Sequence, residues 1–326
     1  MRPSWTQGTM RPRLVMLLSF AIAAVAIAFT GARFTILPSP PPSAHASLPP
    51  QLTSYLGVFE KGSPPGYQQI AEFGKAAGKQ PNLVGYYSGW AEPFHLSFSQ
   101  AIFRRGETPY VQIDPTFASV AGIAAGFYDT YLSSYADSVR GFGHSVVIGF
   151  GHEMNDTRYT WGYGHVPALT FVTAWRHIVT LFRAEGAENV TWLWTLQADS
   201  PQTGPIEDWW PGKSYVTWVG IDGYYQHPAD TFTSVFGQTI DQVRTFTSKP
   251  VLLSETAVGP AAGQFTKISN LFAGMRQYKT LGLVWFDIAQ HGSPIHQDWR
   301  IENSQTAEAA FQLGVASLTL APPTPH

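Results

Sequence analysis

The run Val146-Val147-Ile148-Gly149-Phe150-Gly151-His152-Glu153-Met154-Asn155-Asp156, continuing through Thr157-Arg158-Tyr159-Thr160-Trp161, decides the reading of the chain. Residues 146–150 are mostly β-branched or aromatic, which suits a short strand buried on both faces. That strand runs straight into His152, Glu153 and Asn155. A buried strand that ends in polar groups is the pattern of a parallel barrel, whose strands deliver catalytic side chains at their C-terminal mouth. A second run, Lys249-Pro250-Val251-Leu252-Leu253-Ser254-Glu255, has the same form and also ends in a carboxylate.

Around these two runs the chain divides regularly. Strand-like segments are expected at 55–59, 83–87, 109–113, 146–150, 190–196, 216–221, 250–254 and 281–286, with helix-like segments at 68–77, 127–142, 168–185, 231–247 and 265–280. Eight β-then-α units imply an α/β protein of the (β/α)8 TIM-barrel class. A doubly wound open sheet is the competing arrangement. It lacks support, because Gly62-Ser63-Pro64-Pro65-Gly66, after the first strand, is interrupted by proline where a phosphate-binding turn needs glycine freedom.

The chain has 326 residues, 44% hydrophobic and 13% charged, enough to bury one large core. A net charge of -2 gives no footprint for nucleic acid. The absence of cysteine rules out disulfides, thiol catalysis and thiolate metal sites. Aromatic residues make up 14%, including 11 Trp, more large rings than a core alone requires. Arg2, Arg11 and Arg13 precede an uncharged stretch, Leu14 to Ala32, and the small-x-small sequence Ala44-His45-Ala46 follows a proline-rich spacer. Residues 1–46 therefore read as a signal peptide or as a retained N-terminal membrane anchor with a linker. Residues 47–320 read as the catalytic barrel and 321–326 as a flexible tail. The folded part is expected outside the cytoplasm, secreted or anchored to the cell membrane, and monomeric.

The ends of strands four and seven face one central cavity, so Glu153 and Glu255 should converge. Two carboxylates across a glycosidic bond are the equipment of a glycosidase: one donates a proton to the leaving oxygen and the other attacks or activates water. The partner is then a polysaccharide, and neither cofactor nor metal is expected. Two readings compete with it. One is a barrel that binds polysaccharide without cleaving it. The other is a metal hydrolase built on His152 with His144 or His165, for which the helical zinc pattern fails because Asp156 stands where the second histidine belongs.

The runs 148–155 and 249–256, together with Trp209-Trp210-Pro211-Gly212 through Trp218-Val219-Gly220-Ile221-Asp222-Gly223-Tyr224, resemble glycoside hydrolase family 26, a family of secreted β-mannanases with some β-glucanases and β-xylanases. The resemblance spans about Ser54 to Ala316. It implies a (β/α)8 barrel and a retaining mechanism, with Glu153 as acid/base and Glu255 as nucleophile. It further implies His152 as a sugar contact, Tyr224 as a hydrogen-bond donor to the nucleophile and Trp285 as the platform under the sugar. Trp90, Trp161 and the pair Trp209-Trp210 are candidates for the rest of the groove. Asn155 and Asp114, at strand ends, are candidates for either substrate contact or orienting their neighbours, and Asp222 for bracing its strand. β-1,4-Mannan is the first substrate implied and mixed-linkage β-glucan the alternative. The chain departs from the family at two positions: Gly149 replaces an arginine three residues before the motif histidine, and Asp156 replaces a glycine. The lost guanidinium must be supplied from elsewhere, and Arg158 is the candidate.

Overall fold

The computed structural model describes residues 54–260, 262–290 and 297–322. The expected leader, anchor and linker lie outside the described residues, as do residues 323–326 of the expected tail. Eight strands pair in chain order and close on themselves: β1 (Tyr55–Phe59), β2 (Leu83–Gly89), β3 (Thr108–Asp114), β4 (Val146–Phe150), β5 (Val190–Gln197), β6 (Trp218–Tyr225), β7 (Val251–Val258) and β8 (Gly282–Phe286). Every neighbouring pair is parallel. Helices α1 (Gln68–Ala77), α2 (Leu96–Phe103), α3 (Val120–Ala124), α4 (Asp129–Phe142), α5 (Ala168–Ala184), α6 (Gln238–Phe246), α7 (Gln264–Tyr278) and α8 (Gln305–Ala316) form the connections and the outer layer. A two-stranded ribbon, β9 (Ala289–Gln290) with β10 (Gln297–Asp298), follows the last barrel strand. The chain is a (β/α)8 barrel.

The differences from expectation have local causes. β6 extends to Tyr225 and β7 to Val258, beyond the apolar runs that marked them. Their C-terminal halves carry Asp222, Tyr224 and Glu255, functional residues that break the hydrophobic signal while the ladder continues. The 231–247 segment divides into a π-helical turn, Thr233–Gly237, and α6. The short α2 and α3 lack a long periodic stripe, and α8 begins at a serine cap, where the Ser304 hydroxyl accepts from the Ala307 N–H at 3.2 Å. Ala321 is no part of a free tail. It is buried, its N–H donates to the Ser54 carbonyl at 3.0 Å, and its own carbonyl accepts from the Asn82 amide at 2.8 Å.

Barrel closure rests on the β1–β8 seam, where Tyr55 faces Gly282 and the register runs on to Phe59 opposite Phe286. Gly282 has φ 153°, and a Cβ there would lie 1.9 Å from the Tyr55 carbonyl oxygen. The clash is with backbone that carries the ladder, so it cannot be relieved by a rotamer change. We expect Gly282→Ala to destabilise the fold by roughly 3 kcal/mol or more, read as a lowered denaturation midpoint at unchanged m-value. An unchanged midpoint would show that the seam is not tight.

Candidate active site

The site lies at the C-terminal mouth of the barrel, in an open cleft of about 710 Å³ lined by Glu153, Arg158, Gln197, Tyr224, Glu255 and Trp299, among others. β4 reaches it through a strained turn. Gly151 has φ 53° and Glu153, which carries a side chain, has φ 52°. A left-handed non-glycine residue costs on the order of 1–2 kcal/mol. The turn is held by Glu153 N–H donating to the Thr195 carbonyl on β5 at 3.0 Å and by Asp156 N–H donating back to the Glu153 carbonyl at 2.9 Å.

Glu255 arrives by a different device. Between β6 and β7, Gly220 faces Leu252 while Asp222 faces Glu255, so β7 carries one residue more than its partner. Consecutive residues of a regular strand point to opposite faces. The irregularity lets both Ser254 and Glu255 reach Asp222: the Ser254 hydroxyl donates to Asp222 Oδ1, and the Glu255 carboxylate converges on Asp222 from above. Glu153, Asp222 and Glu255 each present an oxygen within 4.8 Å of the others, and all three are buried.

Charge and hydrogen bonds separate these three acids. Glu255 Oε2 accepts the Tyr224 hydroxyl at 2.6 Å, and Oε1 accepts the Tyr87 hydroxyl. Burial keeps both phenols protonated by raising them well above the usual range. Burial also raises Glu255, opposed by His152 and the two phenols, which favour its ionised form. Burial pushes the Glu153 carboxyl up to about 7, against the pull of His152 and Arg158. Asp222 is raised well above the carboxylate range, by burial first and then by Glu255 and Glu153. The same crowding therefore favours the neutral form of Asp222 beside the two glutamates.

The compensating positive charge comes from two side chains. His152 Nδ1 lies 2.8 Å from Asp114 Oδ1 and Nε2 lies 3.1 Å from the Tyr159 hydroxyl. Burial alone would lower its pKa, but the charge and hydrogen bond of Asp114, with Glu153 and Glu255 behind, hold it up at about 10. It is an imidazolium, donating from both nitrogens. Arg158 Nη2 donates to Glu153 Oε2 at 2.8 Å, and Nε to Asp156 Oδ1 at 3.0 Å. Asp156 also accepts the Arg158 backbone N–H at 2.7 Å. The two departures from the family pattern thus belong together: Asp156 aims Arg158, and Arg158 supplies the guanidinium missing at 149. The space that an arginine would need at 149 is filled by Gln112, whose Oε1 would lie 2.0 Å from a Cβ there. Three carboxylates this close are also a donor set for a divalent cation. Here two resident cations already face them.

The other sequence-derived residues are distributed unevenly. Tyr224 lies in the cleft, and His152 is buried beside Glu153. Trp285 does not reach the cleft. It is 0% exposed, packs edge-on against Phe311 of α8 at 5.0 Å, and donates its indole N–H to the Trp299 carbonyl. Its strand neighbour Phe286 lines the cleft instead, as the alternation of a strand requires. The indole at the cleft is Trp299, stacked on Tyr224 at 4.7 Å. Trp161 is buried behind the histidine, donating to the His152 carbonyl at 2.9 Å. Trp90 packs among Tyr128, Tyr131 and Phe150. Trp209 is buried against Phe171, and Trp210 packs on Trp194. Asn155, 0% exposed, clamps the ends of β4 and β5 by exchanging two 2.9 Å hydrogen bonds with the Gln197 backbone. His144 stacks on Phe103 ahead of β4, and the His165 ring lies at the Thr157 carbonyl, 2.9 Å from it, so among the described residues neither joins His152 in a metal-holding group.

Residues 107–316 match the family model described as glycosyl hydrolase family 26. The chain belongs to this family. Family 26 membership makes it a glycoside hydrolase, and the (β/α)8 fold agrees. Endoglucanase H of Acetivibrio thermocellus is 27% identical over 273 residues, 78% of this chain and 30% of the relative. A beta-1,3-xylanase, TXYA, of a Vibrio species is 23% identical over 202 residues, 58% of this chain and 42% of that one. The chain thus spans less than half the length of either curated relative. Among solved structures, Bacillus subtilis mannanase man26 superposes with a TM-score of 0.63 at 20% identity, covering 86% of this chain and 90% of that one. The family 26 β-mannanase of Bacteroides ovatus gives 0.58 at 16% identity over 83% and 90%.

Because Arg158 lowers the Glu153 pKa, its removal must raise it. If Glu153 is the proton donor, with its carboxyl at about 7, Arg158→Gln should move the alkaline limb of the kcat/KM profile to higher pH. A limb that stays in place or moves to lower pH would contradict the assignment of Arg158 as the counter-charge of Glu153.

Proposed function

We propose that this family 26 hydrolase is an exported, retaining endo-β-glycanase that cleaves neutral β-1,4-linked polysaccharide, with mannan as its substrate. The observation that carries the reading is the close approach of Glu153 and Glu255, with oxygens within 4.8 Å. A gap of about 5–5.5 Å between carboxyl groups suits direct attack, whereas an inverting pair stands wider to admit water. Export is supported by the N-terminal arginines and the uncharged segment Leu14 to Ala32. Endo action is supported by the open form of the cleft.

In this mechanism Glu153 gives its proton to the glycosidic oxygen as the C–O bond breaks. The Glu255 carboxylate closes on the anomeric carbon and forms an ester with the sugar. Water then attacks that carbon, Glu153 takes the water's proton, and Glu255 departs as carboxylate. Tyr87 and Tyr224 hold Glu255 in line for attack. His152 and Arg158 offset the negative charge around both steps, and burial beside the two glutamates disfavours a further charge on Asp222. A β-glucan backbone is the second reading, favoured by the greater sequence identity to an endoglucanase than to the mannanase structures.

Product release from galactomannan and from mixed-linkage β-glucan, followed by NMR, tests both readings. The first-formed anomer should be β. An α anomer would rule out retention, and a chain that releases no reducing ends from any β-glycan would rule out the glycanase. Glu153→Ala should lose about 10²- to 10⁴-fold on polysaccharide while sparing the first step on aryl glycosides, whose leaving groups need no proton. Glu255→Ala should be inactive on both. Equal residual activity of the two variants on an aryl glycoside would overturn this assignment of roles.

A further inference from the structure

Two phenylalanines stand almost wholly in solvent on the rim that carries the active site. Phe117 is 96% exposed and Phe127 is 82% exposed. Scattered exposed apolar side chains need no explanation. These two, however, share one closed loop, residues 115–128, which leaves β3 directly after Asp114. The loop is built, not slack. The Ser119 N–H donates to the Tyr128 hydroxyl at 3.2 Å, the Ser119 hydroxyl caps α3 at the Gly122 N–H, and the Phe127 N–H donates to the Gly122 carbonyl at 2.9 Å. Tyr128 sits edge-on to Trp90 at 5.4 Å, and Trp90 rests on Phe150 of β4 at 6.1 Å. A groove of about 500 Å³, lined by Phe127 with Pro93, Phe94 and Tyr131, runs beside the loop.

The loop is continuous with the catalytic centre. Asp114 hydrogen-bonds His152, the neighbour of Glu153, and Phe117 follows Asp114 by three residues. At full extension that separates their Cα atoms by at most about 11 Å. A polymer held at Glu153 carries further sugars past its cleavage point, and the loop begins at the residue that holds His152 beside that point. The chemistry of the loop fits them. From Pro115 to Tyr128 there is no Asp, Glu, Lys or Arg, which leaves nothing to recognise an acidic polymer. An aromatic face offers a broad apolar surface to the C–H face of a pyranose.

Building on the glycanase reading above, we infer that the 115–128 loop is an accessory binding platform for neutral polysaccharide, on which Phe117 and Phe127 stack against sugar rings beyond the cleavage site. Both side chains are solvent-exposed, so Phe117→Ala/Phe127→Ala should leave the fold intact. On galactomannan and mixed-linkage β-glucan the double variant should raise KM by about threefold or more with kcat retained, and lose retardation in a native gel containing the polymer. Its kcat/KM on an aryl glycoside of one or two sugars, too short to reach the loop, should be unchanged. Phe117→Trp should keep polymer binding. An unchanged KM on polymer, or an equal loss on polymer and aryl glycoside, overturns the platform. So does a change from dimer to monomer with polymer retention unaltered, which would assign the rings to self-association. A native chain that cleaves none of these polymers fails the catalytic reading itself, whereas a native chain and double variant that cleave them equally well fail only the platform.

Discussion

The dominant constraint on this molecule is the burial of negative charge. Glu153, Asp222 and Glu255 crowd the mouth of the barrel, and Asp114 and Asp156 stand just behind them, against His152 and Arg158 as the cations in contact. Carboxylates removed from water resist ionising together. The structure resolves this by giving each acid a different environment. Asp222 is pushed toward its neutral form, Glu255 accepts two phenolic donors, and Glu153 is held at about 7 by burial against the pull of His152 and Arg158. The proposed division of labour between an acid and a nucleophile rests on that inequality.

The scaffold below has features that serve this arrangement. Glycine at 149 makes room for Gln112, and glycine at 220 for Ser254 and Thr195, so that polar side chains fill the barrel interior beneath the carboxylates. Gln112 donates to the Tyr110 hydroxyl at 2.6 Å and to the Thr195 hydroxyl at 2.9 Å, which ties β3 to β5 across the core. The irregular β6–β7 pairing and the left-handed backbone at Glu153 are local distortions, and each aims one of the two glutamates. Regular strands would have sent one of them elsewhere.

Much of this was legible in the sequence because strands buried on both faces read as continuous apolar runs; β1 and β4 coincide with the expected segments. The convergence of Glu153 and Glu255 followed from barrel geometry alone. The phase of a strand was harder. Nothing in Val284-Trp285-Phe286 says which ring turns inward, and the larger one turned out. Trp299 stands beyond the strands altogether, near the β9–β10 ribbon, and no periodicity marks it. Tyr87 ends the segment expected at 83–87, two residues short of the end of β2, and the strand-end rule applied evenly to that segment would have found it. Asn155 shows the opposite case: a polar group at a strand end whose hydrogen bonds brace the scaffold. The pairing of Asp156 with Arg158 is a tertiary fact, although the need for a substitute guanidinium was readable from Gly149.

Glu255 is proposed to make the bond to the sugar while Glu153 moves the proton. The most direct measurement is peptide mapping by mass spectrometry after inactivation with a 2-deoxy-2-fluoro glycoside bearing an activated leaving group, which slows the second step and accumulates the ester. The adduct should lie on the peptide that contains Glu255, one sugar per chain. An adduct on the Glu153 peptide, or no adduct in an enzyme that turns over the unfluorinated substrate, would exclude Glu255 as the nucleophile.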